Sequence, residues 1–170
     1  VHNQLSALAL TDRNGFYGVV KFAQASRTFG LPTLFGAELS CSNKNSSDSS
    51  NSETDAHIVL IADGPSGYSR LSHAITLGQF AGSKSAPVFS TTKIAESLSD
   101  TCWVLTGANG GIINQALEQH GPEVASRRLQ KLVSEFGRHR VLVELCDHGD
   151  PLDSTRNDAL VQIAMRNNVQ

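Results

Sequence analysis

Cysteine is scarce in this chain. Cys41, Cys102 and Cys146 stand far apart and include no C-x-x-C pair. That excludes a disulfide framework and a zinc finger, and points to reduced thiols in a cytoplasmic protein. No apolar stretch approaches membrane-spanning length and no basic-then-apolar leader is present, so no membrane partner is expected. Charge of one sign is not in excess either: 14 Lys and Arg against 16 Asp and Glu leave a net charge of -2. A chain so balanced has no electrostatic footprint for binding nucleic acid by itself. Such a role would need a local patch or another part of a larger protein. No internal repeat is visible.

What is present suits one globular domain with a moderate core: 170 residues, 39% hydrophobic and 18% charged. An apolar run, Leu5 to Leu10, ends in Thr11-Asp12-Arg13-Asn14-Gly15. The spacing of Phe16, Val19, Val20 and Ala23 predicts a helix over 16–29, closed by Gly30 and Pro32. Further strands are expected at 33–39, 57–62, 102–106 and 141–145. Helices are expected at 66–80, 91–98, 110–119 and 122–136, and from Pro151 to about Asn167 with Asp150 as N-cap. Asn43 to Thr54 is Ser/Asn-rich and holds no apolar residue, the composition of a mobile polar loop. Gly107 to Gly111 lacks the Lys-Ser/Thr of a P-loop and reads as a strand-to-helix turn. The repeated strand-then-helix order predicts an α/β fold with a largely parallel sheet or barrel.

Open parallel sheets and barrels carry their chemistry outside the carboxyl ends of the strands. Asp12 and Glu38 lie at or near two such ends, so they are candidates for one shared site. His57 opens the third apolar run and His148 follows a later one. Two carboxylates and two imidazoles from four strand segments suggest a metal site or an acid–base site. Each residue also has a plainer reading: Asp12 as a turn former, Glu38 as the ion-pair partner of Arg13, His57 as an edge residue, and His148 as a capping residue beside Asp147 and Asp150. The chain opens on Val1 and closes directly after a helix, so a fragment of a longer protein is expected.

The blocks LALTDRNGFYGVVKFAQAS, GLPTLFGAELS, HIVLIADGPSGYSRLSHAIT, WVLTGANGGI and VLVELCDHGDPLDSTRNDAL follow in order. Together they resemble the polymerase-and-histidinol-phosphatase (PHP) domain of the bacterial DNA polymerase III alpha-subunit family, error-prone branch. The GAEL, GYSRL and DHGDP segments carry the likeness. The resemblance implies a distorted (β/α)7 barrel, incomplete in this chain, with the palm, fingers and thumb of a polymerase absent. It implies a cluster of up to three metals, zinc or manganese, in members that keep the site. Some members are 3'–5' exonucleases or phosphoesterases, and others are structural platforms. The parent would be a DNA-directed DNA polymerase in replication and damage-tolerant synthesis. It would use magnesium, DNA and deoxynucleotides, and would have a sliding clamp and mutagenesis accessory proteins as partners. A free-standing phosphoesterase of the histidinol-phosphatase kind is the other reading the family allows.

The family's metal ligands carry over unevenly. Its opening H-x-H would lie upstream of Val1, and its last motif past Gln170. Its Asp-His motif reads Asp12-Arg13 here. Glu38 matches the G-A-E glutamate, His57 the strand-opening histidine and His148 the histidine of the D-H-G-x-P loop. Arginine is a fixed cation and does not ligate, so Arg13 is expected to replace a metal through an ion pair with Asp12 or Glu38.

Overall fold

A computed structural model of the chain describes residues 4–41, 56–83, 86–98 and 100–170. Among these residues five strands form one sheet in the order β1-β2-β3-β4-β5. They are β1 (Leu8–Arg13), β2 (Thr33–Cys41), β3 (Ala56–Ala62), β4 (Cys102–Leu105) and β5 (Val141–Leu142). Six α-helices connect them: α1 (Val19–Phe29), α2 (Gly64–Ala81), α3 (Thr91–Leu98), α4 (Ile112–His120), α5 (Pro122–Phe136) and α6 (Asp153–Arg166). The polar tract expected as a loop at 43–54 lies outside the described residues.

Alternation along β2 and β3 gives the sheet two unlike faces. Ala37, Leu39, Ile58 and Leu60 are each 0% exposed and pack in one cluster with Leu71 of α2, Leu98 of α3, Ile113 of α4, and Leu129 and Leu132 of α5. Burying one such leucine fully stabilises the fold by roughly 1.5–3 kcal/mol. The residues between them, Glu38, His57 and Val59, look the other way and stay partly exposed. Helices thus cover one face and leave the other half-open.

The sheet corrects the expectation of a largely parallel order. β1 pairs with β2, and β4 with β5, in parallel, but β3 runs antiparallel to both of its neighbours. A parallel pair needs a crossover, which is usually a helix. The tract between β2 and β3 carries no helical apolar stripe, so the chain returns antiparallel. Two helices, α2 and α3, separate β3 from β4 and bring the chain back to the end of the sheet it left, where Ala62 pairs with Cys102.

Several boundaries move as well. The first strand was expected over 5–10 but runs to Arg13, because pairing with β2 continues to Arg13 opposite Glu38. α1 begins at Val19 rather than Phe16, since the backbone N–H of Gly18 donates to Asp12 Oδ2 at 2.6 Å. The fifth strand stops at Leu142. The last helix starts at Asp153, not at Pro151, and Asp150 is not its N-cap. The Asp150 carboxylate instead accepts from Leu152 N–H at 2.8 Å within the preceding turn.

Candidate functional site

The antiparallel course of β3 explains how a residue that opens a strand meets residues that close others. His57, at the start of β3, pairs in register with Ser40 near the end of β2. On the far side of β3, the turn after β4 closes over the imidazole. His57 N–H donates to Gly110 O at 3.2 Å. A Cβ on Gly107, whose φ is +79°, would lie 2.9 Å from His57 Cδ2. The glycines of this turn therefore make room for the ring, and the segment is a wall of the site as well as a strand-to-helix turn.

Glu38 sits between two basic side chains. Arg13 is its partner in the β1–β2 register, with Nε 3.8 Å from Glu38 Oε1. His57 Nδ1 lies 3.9 Å from the same oxygen. Arg13 Nε also donates to Ser40 Oγ at 3.1 Å. Asn14 locks the same corner: its side chain donates to Ser40 Oγ at 3.2 Å and accepts from Ser40 N–H at 2.9 Å. Gln79 of α2 in turn donates to Asn14 O at 2.9 Å. Arg13 is thus held through its Nε, while its side chain remains 63% exposed.

Asp12 does not join this group. Its register partner is Ala37, on the helix-covered face, and its carboxylate turns to Gly18 at the start of α1. Adjacent residues of a strand point to opposite faces, so Asp12 and Arg13 cannot serve one site together. His148 is exposed and tied elsewhere. Its N–H donates to Asp153 Oδ2 at 2.7 Å, and its Nδ1 lies 3.4 Å from Asn109 Nδ2. No contact among the described residues joins it to Glu38 or His57.

Sequence reasoning missed two features. The first is Glu144, just past β5, whose N–H donates to Thr106 Oγ1 at 3.0 Å. Burial pushes its carboxyl above the usual range; His57 partly counters this and Glu38 adds to it. Its Oε2 is buried without a hydrogen-bond partner among the described residues. A carboxylate directly after an apolar strand was the signal that selected Glu38, and Val141 to Glu144 shows it too. The second is the cluster behind His148. Asp153, 3% exposed, accepts from the N–H groups of His148 and Asp150 and from Arg156 Nη1 at 2.6 Å. Arg156 Nε reaches Glu118 at 2.8 Å. The backbone N–H of His148, foremost, holds the Asp153 carboxyl below its usual range.

The donors do not fit a metal cluster of the kind the resemblance implies. Among the described residues no group of three His, Cys, Asp or Glu side chains is placed to hold a metal ion. Glu38 and His57 converge, Asp12 faces away, His148 stands apart, and a guanidinium occupies the space beside Glu38.

A mixed sheet covered by helices on one face, with polar side chains gathered at one end of the other, defines an α/β domain. A solved structure from Bifidobacterium adolescentis, described as a metal-dependent phosphoesterase, has the same fold. It matches 99% of this chain and 76% of its own length, with a TM-score of 0.63 and 14% identity. The PHP domain description matches residues 1–148, and the chain belongs to the PHP family. It is also 40% identical over 163 residues to an error-prone DNA polymerase of Mycolicibacterium paratuberculosis, covering 95% of this chain. An error-prone DNA polymerase of Cutibacterium acnes is 40% identical over 168 residues, or 97% of this chain. The chain spans 15% of the length of each of these two relatives.

Proposed function

We propose that this chain is a PHP domain that acts as a non-catalytic platform within an error-prone, alpha-type DNA polymerase. The observation that carries this reading is Arg13, set in register with Glu38 and 3.8 Å from its carboxylate. A divalent ion on Glu38 would sit about 5 Å from that guanidinium. Coulomb repulsion there is roughly 2 to 7 kcal/mol for effective dielectric constants of about 80 to 20. The exposed position of Arg13 puts the penalty toward the lower figure. Arg13 supplies by ion pairing the cross-strand tie between β1 and β2 that a metal would otherwise make. In this reading the corner beside Arg13 holds no zinc or manganese.

The parent, in this reading, adds deoxynucleotides to a DNA primer in damage-tolerant synthesis, with magnesium, in the cytoplasm. The palm that carries that chemistry lies outside this chain. DNA, the other polymerase domains, a sliding clamp and mutagenesis accessory proteins are its partners. A residual phosphoesterase is the second reading, and the approach of Glu38 to His57 favours it. The test is cleavage of end-labelled single-stranded DNA by the purified chain with added zinc or manganese. The platform reading expects no cleavage above a Glu38→Ala control. Cleavage that disappears in Glu38→Ala would establish the second reading in its place.

A further inference from the structure

Charge is balanced over the whole chain but not over its surface. Residues 122–140 hold five of the 14 Lys and Arg and only two of the 16 carboxylates, Glu123 and Glu135. They form α5 and the short turn Arg138–Arg140 that follows it. α5 buries Ala125, Leu129, Leu132 and Phe136 in the core on the helix-covered face of the sheet. At about 100° per residue, its opposite side then carries Arg127, Gln130, Lys131 and Ser134. All four are exposed, as is Arg138 just beyond the helix end. The two carboxylates do not cancel this row. Glu135 is turned in, with its side chain 12% exposed and its Oε1 accepting from Thr92 Oγ1 at 2.6 Å. Glu123 lies 3.8 Å from Arg166 of α6, a further cation beside α5. No hydrogen bond or ion pair among the described residues engages the side chain of Arg127 or Arg128. Arg138 is steadied from behind, where its Nη1 donates to Asn167 O at 2.8 Å.

What the row lacks selects its partner. Protein interfaces are anchored by aromatic and apolar side chains, and a membrane-bound helix lays an apolar face into the lipid. The outward positions of α5 hold no apolar side chain, because its apolar stripe is spent on the core. Single-stranded nucleic acid is held by bases stacked on exposed aromatic rings, and the row has none. Cations interleaved with small polar residues are instead the means by which proteins hold the phosphates of a duplex. The spacing suits this. A rise of about 1.5 Å per residue sets Arg127 and Lys131 about 6 Å apart along the helix axis, close to two phosphate steps of about 3.4 Å on one DNA strand. We propose that the outward face of α5 binds the phosphate backbone of duplex DNA without regard to sequence, through Arg127, Lys131 and Arg138, with Arg128 at the flank. The face points away from the half-open side of the sheet that holds Arg13, Glu38 and His57. That the duplex is DNA rests on the platform reading, and the contact gives the platform its own hold on the duplex.

The test is fluorescence anisotropy of a labelled DNA duplex of arbitrary sequence, titrated with the 170-residue chain. About three or four phosphate contacts predict a slope of about -3 in log K against log salt. Arg127→Gln with Lys131→Gln is expected to reduce that slope by about two and to weaken binding at least tenfold at about 50 mM salt. Lys21→Gln with Arg27→Gln makes the same change in net charge on α1, which packs on β2 toward the other edge of the sheet from β5 and α5. It leaves binding intact. Arg127→Lys with Lys131→Arg keeps the cations and keeps the binding, so the neutral pair fails for charge and not for folding. No binding at low salt, a slope near zero, or an equal loss in the α1 variant would overturn the proposal. So would tighter binding of single-stranded DNA or of duplex RNA. Metal bound at Glu38 would contradict the platform reading without touching this result, and a failed titration here leaves the Arg13–Glu38 pair untouched.

Discussion

Arg13 and Glu38 are direct neighbours across the parallel β1–β2 pair, and the arginine Nε lies 3.8 Å from the glutamate Oε1. One strand register thereby sets the character of the whole site. It brings a permanent cation to Glu38 on the half-open face, and by alternation it sends Asp12 to the helix-covered face. Glu144 lies close to this pair, whereas Asp153 belongs to the separate cluster behind His148.

Glu144 sits partly buried near Glu38, with an unpartnered oxygen. Its folded pKa is raised, so its contribution is fully present below the ordinary glutamate value near ~4.3 and is lost as pH rises through the folded value. Glu144→Gln keeps the shape but removes the half-buried charge, and is therefore expected to raise the stability of the chain at neutral pH by on the order of 1 kcal/mol. The gain should vanish below about pH 3, where the carboxyl is neutral in both the folded and the unfolded chain. Urea denaturation at the two pH values checks it, and a Gln variant less stable than wild type at neutral pH would contradict it.

Asp153 has the opposite sign. Its folded pKa is lowered, first by the His148 N–H. The stability it brings is present above the ordinary aspartate value near ~3.9 and is lost as pH falls through the lower folded value. Asp153→Asn should lower the melting temperature at neutral pH and speed amide hydrogen exchange at His148 and Asp150. The melting difference should shrink in strong acid. Unchanged exchange at these two amides would show that the carboxylate does not hold the loop.

Gly67 lies inside α2, where alanine would ordinarily gain about 1 kcal/mol of helix propensity. Here the added Cβ would stand 2.1 Å from the backbone oxygen of Thr101. Backbone cannot yield as a side-chain tip can, so Gly67→Ala is expected to cost roughly 1–3 kcal/mol. Ser69→Ala on the exposed side of the same helix should be neutral or mildly stabilising. Chemical denaturation of the pair separates close packing from propensity.

The order of elements was legible in the sequence because apolar spacing changes from alternation to helical stripes at each junction. The direction of β3 was misjudged, although the absence of any apolar residue in the tract before it argued against a helical crossover. Glu38 and His57 were found from their positions at strand ends, and the structure brings them together. Asp12 was grouped with them because the first strand was read as ending at Leu10. Carrying that strand on to Arg13 places Asp12, by parity, on the other face. Glu144 carried the same signal as Glu38 and was passed over. The cluster of Asp153, Arg156 and Glu118 draws on α4 and α6, and no local pattern announces a contact between residues so far apart in sequence.

The most direct test of the account is metal content. The chain is purified without chelator, beside an Arg13→His variant, and both are assayed by elemental analysis. The account predicts far less than stoichiometric zinc or manganese in the wild type. In the variant, the guanidinium has given way to a donor beside Glu38 and His57, and about one equivalent is expected. One or more equivalents in the wild type, lost on Glu38→Ala, would contradict the claim that Arg13 stands in place of a metal.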